Sequence, residues 1–158
     1  MLYARPKGLL SNSFRITDAG GDLVAELAVA FVKEGGQLHH DGKVYRLERE
    51  GLMSGPLRLI DGHEVLYEAS KPSMIRNRFM VTVRKADLEL SPVSFWMRGF
   101  RLVGPDWAEL GTIRRPSLLS RRALIDLDDR VPVEAQLFLF FLANVLWRRA
   151  DNSAAGGG

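Results

Sequence analysis

The sequence predicts a mainly β protein: a closed antiparallel β-barrel of about twelve strands around a central hydrophobic C-terminal α-helix. Three observations carry that expectation. Turn-forming residues recur about every 8–12 positions before residue 132, the spacing of an all-β meander. Between them lie short runs in which apolar and polar residues alternate. Last, "PVEAQLFLFFLANVLWRR" holds a run from Ala135 to Trp147 that only Gln136 and Asn144 interrupt.

The turn signals are Gly20-Gly21, Gly35-Gly36, Asp41-Gly42, Gly51, Gly55-Pro56, Asp61-Gly62, Lys71-Pro72, Ser91-Pro92, Gly104-Pro105 and Arg115-Pro116. Period-two alternation means one face buried and one face wet. In "KVYRLERE" Tyr45 and Leu47 point inward while Arg46, Glu48 and Glu50 point outward. The inward set is Val65, Tyr67 and Ala69 in "HEVLYEAS", and Phe79, Val81 and Val83 in "RFMVTVRK". In "PVSFWMR" it is Val93, Phe95 and Met97. Asp61-Gly62 stands between two such runs, a short-range hairpin signal.

The final apolar run is too short to cross a bilayer, which needs about 20 apolar residues. Nor does it suit the membrane surface, where a helix shows one polar face and one apolar face. On a wheel of about 100° per residue, Glu134, Gln136 and Asn144 fall near ~0°, ~200° and ~280°, leaving no clean stripe. A helix apolar all round is buried all round. Strands with one apolar face achieve that by wrapping it, so residues 133–149 belong on the barrel axis. Pro132 and Glu134 suit the helix start, and Arg148 and Arg149 its end. The tail "NSAAGGG" is small and polar, so the expectation is one domain over residues 1–150 and disorder over 151–158.

Composition narrows the chemistry. The 158 residues are 46% hydrophobic and 26% charged, ordinary for a folded globular chain. Cysteine is absent, which excludes disulfides, zinc–thiolate sites and cysteine nucleophiles. "MLYARPKGLLSNSF" lacks the apolar core of a secretory signal, so the expected location is cytoplasmic, with peripheral membrane association open. The net charge of +3 is unevenly spread. Lys71 to Arg122 carries 11 basic and 4 acidic residues, +7, against 11 basic and 15 acidic elsewhere, −4. Such a segment attracts phosphate.

Two stretches carry a family resemblance. "ELGTIRR…RRALIDLDDRVPVEAQLFLFFLANVLWRR" has an apolar-Gly-x-Ile-basic strand at Leu110-Gly111-Thr112-Ile113-Arg114. A second strand, Ile125-Asp126-Leu127-Asp128, leads into the apolar helix. "PLRLIDGHEVLYEASKP" supplies a strand-turn-strand unit upstream. In this order the pieces resemble the tubby C-terminal-like superfamily, which includes tubby proteins, plant LURP-one-related proteins and phospholipid scramblases. The similarity spans about residues 12–150. It implies a twelve-stranded barrel closed around a hydrophobic C-terminal helix, and it suggests lipid contact, since tubby proteins bind phosphoinositide headgroups through basic residues on the barrel. The Pro-rich N-terminal region and acylated Cys cluster of eukaryotic scramblases are missing.

The candidate site residues are the arginine pairs Arg76 and Arg78, Arg114 and Arg115, and Arg121 and Arg122. Guanidinium offers a planar donor fork matched to phosphate oxygens. "RRPSLLSRR" brings four arginines within nine residues around a proline. Asp126, Asp128 and Asp129 form a weaker Ca²⁺ candidate, without the glycine and glutamate of an EF-hand loop. The alternative for them is pairing with Arg121, Arg122 or Arg130. His39, His40 and His63 are the only histidines; neighbours in a strand face opposite ways, so His39 and His40 do not share a ligand. Trp96, Phe100 and Trp107 interleave with Arg98 and Arg101, yet aromatics packed on the barrel explain them better than nucleic acid does. There is no Gly-x-Ser-x-Gly elbow and no phosphate-cradling glycine loop. The sequence therefore points to a non-catalytic binding module without a cofactor, for anionic phospholipid headgroups at a membrane surface. The alternative is a structural or regulatory protein-interaction domain without lipid affinity.

Overall fold

A computed structural model describes residues 1–30, 33–51, 54–71, 77–94 and 98–157. Twelve strands precede one long helix. They are β1 (Leu2–Pro6), β2 (Ser13–Thr17), β3 (Leu23–Val29), β4 (Gly36–His40), β5 (Lys43–Arg49) and β6 (Leu57–Asp61). Then come β7 (Glu64–Ser70), β8 (Phe79–Val83), β9 (Ala86–Pro92), β10 (Gly99–Val103), β11 (Glu109–Arg114), β12 (Ala123–Leu127) and the helix α1 (Val133–Gly156). Every strand is antiparallel to its neighbour in the chain, and β1 pairs with β12 to close the barrel. Closure gives every strand a partner on both sides.

The alternation read from the sequence sets the faces. Tyr45 and Leu47 of β5 and Phe79, Val81 and Val83 of β8 are buried, while Arg46 and Glu48 are exposed. The inward faces meet α1, whose residues from Ala135 to Trp147 are all buried. Three strand aromatics show how it is enclosed. Phe14 of β2 meets Phe140 edge-on at 5.2 Å between centroids. Tyr67 of β7 stacks on Phe138 at 6.2 Å, and Phe100 of β10 tilts against Trp147 at 5.5 Å. These strands lie several positions apart around the ring, so the helix is gripped from separate sides. Each such ring pair adds about 0.5–1.5 kcal/mol beyond its burial.

Both ends of α1 are tied. At the start, the Gln136 side-chain amide donates to the Val131 carbonyl at 2.9 Å, which satisfies a polar group inside the core. At the far end, the Arg149 guanidinium donates to both oxygens of Glu34, at 2.5 and 2.6 Å. Arg148 donates to the Ala30 carbonyl at 3.1 Å. Glu34 also pairs with Arg49. Burial pushes the Glu34 carboxyl up, but the Arg149 and Arg49 guanidiniums outweigh it, and its pKa falls below the usual value.

Three local expectations are corrected, and one turn forms that the sequence does not suggest. Val65 is 46% exposed because the β6–β7 register shifts between Leu59 and Ile60. The extra residue, Leu66, reverses the alternation ahead of Tyr67 and Ala69. Ser91-Pro92 ends β9 instead of marking a turn, and Val93 just beyond it is exposed; Phe95, Trp96 and Met97 lie outside the described residues. The β8–β9 turn falls on Arg84-Lys85, both at positive φ (49° and 67°), a conformation the sequence does not advertise. Finally, α1 runs on to Gly156, past the end at Arg149 that the sequence suggests. Ala154 and Ala155 favour helix, and the Ser153 hydroxyl donates to the Arg149 carbonyl at 2.8 Å.

The two barrel ends differ. One carries short turns at 18–22, 41–42, 62–63, 84–85 and 104–108, together with the entry to α1. The other carries the described residues of the longer connections at 7–12, 30–35, 50–56, 71–78, 93–98 and 115–122, together with the exit of α1.

Candidate functional site

Where β1 closes against β12, the outer wall of the barrel carries a groove of about 460 Å³. Its position follows from alternation. Leu2 and Ala4 of β1, Ile113 of β11, and Ala123 and Ile125 of β12 face inward and are buried. Tyr3, Arg5, Arg114, Arg122 and Leu124 consequently face out, and all five line the groove. Register fixes their spacing: Leu124 stands opposite Tyr3 on one side and Arg114 on the other. Tyr3, Leu124 and Pro116 make an apolar floor, with Arg5, Arg114 and Arg122 around it.

The three rim arginines are electrostatically unanswered. Among the described residues, none of their side chains has a hydrogen-bond or ion-pair partner, and all three are exposed. Arg5 also stands directly opposite Arg15 of β2, a like-charge pair that destabilises a sheet. Arg15 in turn faces Glu26 of β3, which binds Lys7 at 2.9 Å. The hydrogen bond from Lys7 holds the Glu26 carboxyl below its usual pKa. Glu26 is thus committed to Lys7.

The other candidate arginines are placed differently. Arg115 lines the groove, yet its guanidinium lies over the Trp147 ring and reaches Asp151 of α1. Burial pulls its pKa below the ordinary guanidinium value. Arg121 donates to the Leu9 carbonyl at 2.8 Å and to the Ser11 carbonyl, tying the 115–122 connection to the 7–12 connection. Arg78 pairs with Glu89 at 3.3 Å. Arg76 lies outside the described residues. Arg78, Arg114, Arg115, Arg121 and Arg122 share the long-connection end of the barrel, and the groove collects Arg114, Arg115 and Arg122. Sequence reading missed Arg5, Tyr3 and Leu124. The alternation of "LYARP" and "RRALIDL" marks them as outward-facing, but only the β1–β12 closure brings the two runs together.

Charge separates along the barrel axis. At the long-connection end, the described connections and the α1 exit from Arg148 carry ten basic residues against Glu34, Glu50 and Asp151, a balance of +7. At the other end, the turns and residues 128–134 carry Arg84, Lys85 and Arg130 against seven acidic residues, a balance of −4.

Asp126 and Asp128 do not converge with Asp129. Asp128 takes Arg130 in a two-pronged pair at 2.8 and 2.9 Å and also accepts the Arg130 backbone N–H, which holds its pKa at about 2. Among the described residues no group of three or more His, Asp or Glu side chains is placed to hold a metal ion. His40 Nδ1 lies 2.8 Å from the Val24 carbonyl, while His39 faces the opposite way and is exposed. Nor is any helix among the described residues long and apolar enough to cross a membrane. The chain matches no protein-family model, no curated protein and no solved structure.

Proposed function

We propose that this barrel is a non-catalytic binding module that takes anionic phospholipid headgroups in the arginine-lined groove at its basic end. One observation carries the reading: Arg5, Arg114 and Arg122 crowd around an apolar floor with no acceptor among the described residues. A phosphate group supplies the missing acceptor, and guanidinium binds it in paired, charge-assisted hydrogen bonds. The floor of Tyr3, Leu124 and Pro116 suits the glycerol and first acyl carbons below a headgroup. The resemblance to tubby-like barrels, itself part of this proposal, supports the same ligand class. So does the axial charge separation, which turns the +7 end toward an anionic surface. Anionic lipid on the cytoplasmic leaflet makes a peripheral, cytoplasmic setting the natural one.

Co-sedimentation with vesicles tests this. The chain should pellet with phosphatidylcholine vesicles containing phosphatidylserine or a phosphoinositide, and stay in solution with phosphatidylcholine alone. A basic residue near such a surface contributes about 1 kcal/mol, so Arg5→Ala, Arg114→Ala and Arg122→Ala together should weaken binding roughly 100-fold. Equal partition onto neutral and anionic vesicles, or unchanged binding by the triple variant, would return the chain to the alternative of a protein-interaction domain.

A further inference from the structure

Two exposed leucine pairs sit at the same end of the barrel. Leu9 and Leu10 are 95% and 94% exposed; Leu118 and Leu119 are 50% and 97% exposed. Each pair occupies the two corner positions of a tight turn. The Ser11 N–H donates to the Gly8 carbonyl at 3.3 Å, and the Ser120 N–H donates to the Ser117 carbonyl at 3.2 Å. Turn corners facing water are ordinarily Gly, Asn, Asp, Ser or Pro. Leu-Leu at both corners contributes nothing to the core, so their apolar surface calls for an outside partner.

The turns lie side by side. They flank β1, one following it into β2 and the other leading into its barrel-closing partner β12. Arg121 bridges them through its bonds to the Leu9 and Ser11 carbonyls, and its guanidinium lies 5.9 Å from the Phe14 ring centroid. The leucine pairs are therefore held by the barrel frame as one tip, next to the groove of Arg5, Arg114 and Arg122.

We propose that Leu9, Leu10, Leu118 and Leu119 form a wedge that inserts into the acyl boundary of an anionic membrane while the groove holds a headgroup beside it. This rests on the headgroup reading and extends it from charge attraction to insertion. Charge selects the occupant. A second copy docked tip to tip would bring two +7 ends together, whereas an anionic bilayer answers both the leucines and their basic surround.

The absence of cysteine provides a clean test. Leu119→Cys carries a single environment-sensitive fluorophore at the tip, and His63→Cys carries it in a turn at the opposite end. With phosphatidylcholine–phosphatidylserine vesicles, the label at 119 should shift to the blue and be quenched by acyl-chain quenchers, while the label at 63 does neither. Replacing all four leucines by serine should weaken vesicle binding about tenfold or more and abolish its salt-resistant fraction, with Tm unchanged. Binding with an unshifted label at 119 overturns the wedge and leaves the headgroup reading standing. No vesicle binding by the unaltered chain overturns both. A blue shift without vesicles that grows with protein concentration assigns the leucines to a second copy and overturns the wedge.

Discussion

The Arg115 guanidinium lies 4.3 Å from the centroid of the Trp147 ring and bonds Asp151 at 3.3 Å, joining the 115–122 connection to the last buried turn of α1. A largely desolvated cation–π contact contributes about 2 kcal/mol. Arg115→Ala should therefore lower stability by about 2 kcal/mol and Tm by about 4–8 °C. Its exposed neighbour Arg114 has no such contact among the described residues, so Arg114→Ala should leave Tm in place and weaken vesicle binding. Thermal melts of the two variants beside co-sedimentation separate an arginine that holds the helix from one proposed to meet a headgroup.

Inside the barrel, Phe138 lies between Tyr67 and Phe141, with centroids at 6.2 and 6.4 Å, and is fully buried. Phe138→Ala should cost about 3–5 kcal/mol, a large share of the ~5–15 kcal/mol that holds a domain of this size. A urea melt should show a midpoint falling by about a fifth or more. A shift under about 1 kcal/mol would mean that the helix is not enclosed as described.

What the sequence made legible, and what it hid, divides along physical lines. The helix was legible because thirteen consecutive positions obey one demand, exclusion from water, and Gln136, one of the two polar residues among them, bonds the Val131 carbonyl. Strand faces were legible wherever alternation ran uninterrupted, as at Tyr45 and Leu47. They were not where a bulge inserts Leu66, because a single extra residue leaves no compositional trace. The arginine site was legible in part. "RRPSLLSRR" marked Arg114 and Arg122, but Arg5 joins them only through a contact between the first and last strands. Spacing could not distinguish Arg115 and Arg121, which brace the structure, from Arg114 and Arg122. That distinction depends on Trp147 and on the Leu9 carbonyl, both distant in the chain.

Gly111 tests the strand motif "LGTIR". It lies at φ 118° beside the register shift between β10 and β11, and a Cβ there would fall 2.1 Å from the Asp126 carbonyl oxygen. Neither the dihedral nor the space tolerates a side chain. Gly111→Ala should destabilise the chain by at least about 2 kcal/mol and loosen the β11–β12 pairing, read as faster amide exchange at Ile125 and Leu127. By contrast, Gly156→Ala, in open space at the end of α1, should leave Tm unchanged or slightly raised.

Asp128 titrates at about 2 against an ordinary 3.8, because the Arg130 side chain and backbone N–H both bond its carboxylate. A carboxylate whose folded pKa is depressed adds stability above its unfolded pKa and loses it as pH falls through the folded value. The Asp128–Arg130 contribution is thus complete above about pH 4 and disappears toward about pH 2. Asp128→Asn should be less stable than the unaltered chain by a constant amount at neutral pH. That gap should narrow between pH 4 and pH 2, where the carboxylate of the unaltered chain takes up its proton. Carboxyl NMR gives the direct reading: a midpoint for Asp128 near 2 supports the two-pronged pair, and one near 3.8 would show that Arg130 does not hold it in solution.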